Sequence, residues 1–156
     1  MRLQTLKKRS DFVSAYKQGS SIATSGIVIQ WVESSKTSPC DESCGLVHVG
    51  FTATRKIGNA VKRNRSKRRM RALIRNTLPP LLKRYPQLYN YDFVLIARAS
   101  THIRPYDNLV KDFKYALHQI AKNVTYPEQQ KANNITPEGS QHNNLPTPSR
   151  HNQQKP

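Results

Sequence analysis

Ten cations crowd the segment between Arg55 and Arg75: Arg55, Lys56, Lys62, Arg63, Arg65, Lys67, Arg68, Arg69, Arg71 and Arg75. No acidic residue stands between Glu42 and Asp92 to balance them. A solvated helix normally mixes signs, because like charges four residues apart each cost a few tenths of a kcal/mol. This run accepts that repulsion, which points to an anion that relieves it rather than to a merely solvated face. Guanidinium forks match phosphate bidentately, whereas lysine supplies a point charge. Gly58 and Asn59 precede the run, at the place where a helix start exposes free N–H groups and a positive dipole end, a ready anion site. The chemistry read here is phosphate binding.

Other residues of chemical type are less well placed. Cys40, Cys44 and His48 have the spacing C-x3-C-x3-H, three ligands where structural zinc takes four. They read as two reduced loop thiols and a histidine, with no metal held by the protein. His48, His102 and His118 offer acid–base groups, but none sits in a motif with a second catalytic group. The expectation is a protein without catalytic residues of its own.

Three helices and four strands must position the basic run. Ser10 is a good N-cap for a helix carrying Phe12, Ala15 and Tyr16, which Gly19 stops. A second helix is predicted from about Asn59 to Leu78, with Pro79-Pro80 ending it. On it, at about 100° per residue, Asn64, Arg68, Arg71 and Arg75 share a stripe. Ala60, Met70, Leu73, Ile74 and Leu78 form an apolar arc that Arg63 and Lys67 interrupt. The C-terminal half is therefore expected to pack on a sheet, leaving the N-terminal cations free. A third helix follows Pro105, with Leu109, Phe113, Leu117 and Ile120 as its apolar stripe. Strands are read at Ile27–Val32, Val47–Thr54 and Phe93–Ile96, with a weaker one at Ser20–Ala23. The order α-β-β-β-α-β-α predicts an α+β single domain, a sheet packed by helices.

Composition bounds the rest. Of 156 residues, 26 are Lys or Arg and 9 Asp or Glu, giving a net charge of +17. Only 36% are hydrophobic and the mean hydropathy is −0.73, which excludes an enzyme of several cores. Nothing approaches the roughly 20 apolar residues of a membrane span, and the basic N-terminus lacks the apolar core of a secretory signal. The expected setting is cytoplasmic. Beyond residue 123 the chain turns to Asn, Gln and Pro, with Pro127, Pro137, Pro146, Pro148 and Pro156 and no apolar period. Residues 124–156 therefore read as a disordered, low-complexity tail on a folded unit of residues 1–123.

The segment Arg55-Lys-Ile-Gly-Asn-Ala-Val-Lys-Arg-Asn-Arg-Ser-Lys-Arg-Arg-Met-Arg71 resembles the signature of the bacterial ribonuclease P protein component. Leu6–Gly19 is similar to that family's first helix and Tyr91–Arg98 to its last strand, so the resemblance spans residues 3 to about 122. It implies a four-stranded sheet with a left-handed β-α-β crossover around the basic helix. It also implies a function, as protein subunit of a ribonucleoprotein endoribonuclease that removes the 5′ leader of precursor tRNA. The partners would be a catalytic RNA, one protein per RNA, and the precursor tRNA. The cofactor would be Mg²⁺, held through the RNA.

By the same resemblance Arg55, Lys56, Asn59, Lys62, Arg63, Asn64, Arg65, Lys67, Arg68 and Arg71 are the RNA-binding residues. Phe12 and Tyr16 would line a cleft for the single-stranded leader. Base stacking on aromatic rings suits that task, being worth about 1–3 kcal/mol whatever the sequence. One position departs from the family. Gln30 stands where an aromatic often faces the cleft, and its neighbour Trp31 must point to the other side of the strand. The alternative reading is a non-enzymatic ribosomal or RNA-assembly protein with a basic helix.

Overall fold

The computed structural model describes residues 2–34 and 46–125. Its β-branched and aromatic runs form a mixed sheet, ordered β1-β4-β5-β3-β2. The strands are β1 (Arg2–Thr5), β2 (Ser20–Ala23), β3 (Ile27–Glu33), β4 (Leu46–Thr52) and β5 (Tyr91–Ala97). β1 and β5 run parallel to β4, while β3 runs antiparallel to both β5 and β2. The helices are α1 (Arg9–Lys17), α2 (Ala60–Arg84) and α3 (Tyr106–Thr125). Because β4 and β5 are parallel neighbours, α2 is the crossover between them.

Strand alternation sorts the sheet into two unequal faces. Ile27, Ile29 and Trp31 of β3, Val47 and Val49 of β4, and Phe93 and Leu95 of β5 enter the main core. There they meet Met70, Leu73, Ile74, Leu78 and Leu82 of α2 and the Leu109–Phe113–Leu117–Ile120 stripe of α3. Among the described residues the other face carries α1 alone, in a small cluster of Leu6, Ala15 and Val94 bordered by Phe12, Val32 and Ile96. Trp31, 5% exposed, belongs to the main core. Gln30 pairs with Val94 on the α1 face and is half-buried, so no aromatic ring of β3 reaches that side.

The structure corrects the sequence reading at four points. The sheet has five strands, not four. β1 carries no signal in the sequence because Leu3, Gln4 and Thr5 are all exposed, so no burial pattern marks it; its ladder to β4 defines it. Helix α2 runs past Pro79-Pro80 to Arg84. The two prolines remove donors to the carbonyls of Arg75 and Asn76, both exposed residues, and the buried Leu82 beyond them rewards one more turn. At α1 the N-cap is Lys8, with no side-chain cap bond, and Ser10 falls inside the first turn. Strand β4 stops at Thr52, because Thr54 already caps the 3-10 turn Arg55–Ile57.

Candidate nucleic-acid interface

Gly58 turns the chain into α2 with φ +125°, a region that disfavours residues with a Cβ. Asn59 then caps the helix, its Oδ1 accepting from the Lys62 N–H at 3.0 Å. The sequence Gly-Asn thus builds a side-chain cap that satisfies the Lys62 N–H at the start of the helix. Around the turn, Arg55 and Lys56 are exposed in the 3-10 turn, as are Asn59, Lys62, Asn64, Arg65, Arg68, Arg71 and Arg75. The stripe of Asn64, Arg68, Arg71 and Arg75 thus faces outward as the spacing predicts.

Not every cation of the run is free. Arg63 is half-buried and donates from Nη1 to the Gly58 carbonyl at 2.7 Å, bracing the turn. Lys67 is half-buried too. The apolar arc begins with Ser66, fully buried with its hydroxyl donating to the Lys62 carbonyl at 3.0 Å. Ala60, expected in that arc, is exposed. Arg71 stacks its guanidinium 5.6 Å from the centroid of the Phe51 ring. Arg69 turns to the opposite flank, where its fork donates to the carbonyls of His102, at 3.0 Å, and Arg104. Burial first, and the neighbouring Arg65 second, hold the Arg69 pKa below its ordinary value, though Tyr106 opposes them.

The aromatic pair sits on the other face of the sheet. Phe12 lies directly over Gly50: a Cβ there would fall 2.7 Å from its Cε1 and 3.0 Å from its Cζ. Tyr16, one turn on, is 75% exposed. Gly50 and Phe51 are successive residues of β4, so Phe12 and Arg71 approach that strand from opposite sides. Pairing with β1 ends at Val49. Beyond it, Gly50–Thr52 pair only with β5 among the described strands, which leaves a short free edge between the aromatic and cationic surfaces.

Cys40 and Cys44 lie outside the described residues, as does the tail from residue 126. His48 points Nδ1 at the Asp92 carboxylate, 3.1 Å away, in a buried pair across β4 and β5. Asp92 is 44 residues distant in sequence, and no local signal could have named it. His118 has its Nδ1 2.8 Å from the Tyr85 hydroxyl, pinning α3 to the end of α2. Among the described residues no three His, Cys, Asp or Glu side chains form a group able to hold a metal ion. No helix among them is long and apolar enough to cross a membrane.

A small α+β protein with one helix devoted to cations and a second, aromatic surface beside the sheet edge belongs to the class that meets polyanions. The family described as Ribonuclease P matches residues 1–121. The ribonuclease P protein component of Caulobacter vibrioides is 38% identical over 124 residues, covering 80% of this chain and 75% of that protein. Its counterpart in Gluconacetobacter diazotrophicus is 34% identical over 118 residues, covering 76% and 91%. The solved RNase P protein of Staphylococcus aureus superposes with a TM-score of 0.56 at 25% identity, covering 76% of this chain and 94% of that one. The Thermotoga maritima protein shares the fold, with a TM-score of 0.54 at 20% identity over 74% and 96%. The chain belongs to the ribonuclease P protein component family.

Proposed function

We propose that this protein is the protein subunit of ribonuclease P, an endoribonuclease ribonucleoprotein that removes the 5′ leader from precursor tRNA. The observation that carries the reading is the outward stripe Asn64–Arg68–Arg71–Arg75 on a helix with no acidic residue. A catalytic RNA folded against that stripe supplies the missing negative charge. Each phosphate neutralised releases counterions, so binding weakens steeply with salt. The single-stranded leader lies on the α1 face, where Phe12 and Tyr16 offer rings for stacking and tolerate any base. At the free edge of β4 the leader passes from rings to cations.

In this reading the phosphodiester chemistry belongs to the RNA and its Mg²⁺. Among the described residues, the buried Asp92 is committed to His48 and the half-buried Asp112 to Arg104. The protein's part is to screen repulsion between two RNAs, to grip the leader, and so to favour precursor over mature tRNA. One protein serves one RNA, in the cytoplasm.

Reconstitution tests this directly. Protein plus a bacterial ribonuclease P RNA should cleave precursor tRNA at low Mg²⁺, where neither cleaves alone. The complex should also bind precursor more tightly than mature tRNA. Equal affinity for the two, with no cleavage, would favour a ribosomal or assembly protein instead.

A further inference from the structure

Arg69 stands in the middle of the cationic run, yet its contacts point inward. It is half-buried, and its two Nη atoms reach the carbonyls of His102 and Arg104, 33 and 35 residues away. Those carbonyls belong to the β5–α3 connection, which is itself fastened. Arg98 Nη1 donates to the Thr24 carbonyl at 2.8 Å, Ser100 Oγ to Ser25 at 2.6 Å, and Thr101 Oγ1 to Gly26 at 2.5 Å. Arg104 also pairs with Asp112 of α3 at 2.8 Å. Arg69 therefore ties α2 to a rigid anchor rather than to a loose loop.

Two residues along the helix, about 200° around it, Arg71 rests on Phe51. One arginine on each flank, with Met70, Leu73 and Ile74 beneath, fixes the rotation of α2 about its axis. That rotation decides which way Asn64, Arg68 and Arg75 face. We infer that Arg69 is a positioning residue for the RNA interface, spending its fork on two backbone carbonyls to aim the cationic stripe, and makes no phosphate contact. The inference rests on the proposed role of α2 in RNA binding.

The test compares Arg69→Ala, Arg69→Lys and Arg69→Gln with the wild-type protein, each titrated with a bacterial ribonuclease P RNA over a range of salt. Titrations run well below every melting temperature, with folding verified by circular dichroism. Lysine binds phosphate well as a point charge, but one ammonium cannot reproduce a fork across two carbonyls. A positioning role predicts that Arg69→Lys behaves like Arg69→Ala. Both should melt about 5–10 °C lower, and both should bind RNA several-fold more weakly while folded.

Wild-type affinity in Arg69→Lys, with the salt slope flattened by about 0.7–0.9 in Arg69→Ala, would make Arg69 a phosphate ligand and overturn the inference. Unchanged affinity in every folded variant would reduce Arg69 to a stability residue and overturn it too. If Arg69→Ala does not fold, Arg69→Gln replaces it, since its amide still donates to one carbonyl without carrying charge. The wild-type titration stands apart from these comparisons. Absence of salt-dependent binding there would remove the RNA reading of α2 itself, whereas the melting shifts report on the tie to the anchor alone.

Discussion

Gly50 and Phe12 form a lock between the sheet and α1. The ring occupies the space a side chain would need, with Val94 Cγ2 closing the third side at 3.3 Å. Gly50→Ala should therefore push the ring off the sheet and cost about 1–3 kcal/mol, the usual penalty of overpacking. Chemical denaturation measures the loss, and leader affinity should fall in parallel. Retained stability and affinity would show that Phe12 is not seated on Gly50. The His48–Asp92 pair makes a second residue-scale prediction. Asp92→Ala strands the buried His48 Nδ1, at a cost of about 1–3 kcal/mol, whereas His48→Ala with Asp92→Ala should cost less than the sum of the single changes. Strict additivity in urea denaturation would mean that the two groups do not interact.

Helix α2 does two jobs along one axis. Its first two-thirds, opened by the Asn59 cap, carry the exposed stripe from Asn64 to Arg75; its second half is buried through Leu73, Ile74, Thr77, Leu78 and Leu82. Pro79 and Pro80 lie where the second half is already committed to the core, so packing carries the helix across two missing donors. Restoring one donor should stabilise it. A proline inside a helix costs roughly 3 kcal/mol relative to alanine, and the freer unfolded chain returns about 0.4–1 kcal/mol of that gain. Pro80→Ala is expected to raise the melting temperature without altering RNA affinity, because the position lies more than a full turn beyond Arg75, the last residue of the stripe. A lower melting temperature would mean that the proline shapes the end of α2 instead of straining it.

At the scale of the molecule, the two faces of the sheet divide the labour. Among the described residues, one buries most of the apolar side chains under α2 and α3, and the other is covered by α1 alone. The main core closes within the described residues, with Ile120, Ala121 and Val124 as its last contributors. A chain ending at Thr125 should thus keep the melting temperature of the full chain and its RNA affinity. Thr125 itself should be kept, since its hydroxyl donates to the Ala121 carbonyl at 2.8 Å and accepts from Gln87 at 3.2 Å. A large fall in stability on removing residues 126–156 would place part of the fold in that segment.

Sequence by itself determined what local chemistry can express. The cationic run and its freedom from acids announced the polyanion, the Gly-Asn pair marked the start of α2, and the Leu109–Phe113–Leu117–Ile120 spacing marked the buried side of α3. It also implied that Trp31 must leave the face occupied by Gln30, because side chains alternate along a strand. Only the tertiary structure decided which of those faces was the core, that Arg2–Thr5 is a fifth strand, and that α2 survives two prolines. It alone separated Arg69 and Arg63, held by backbone carbonyls, from Arg68 and Arg75, which face outward. The physical reason is distance along the chain. A guanidinium looks the same in sequence whether it meets solvent or two carbonyls more than 30 residues away, and an edge strand without a buried side exists only by virtue of the neighbour it pairs with.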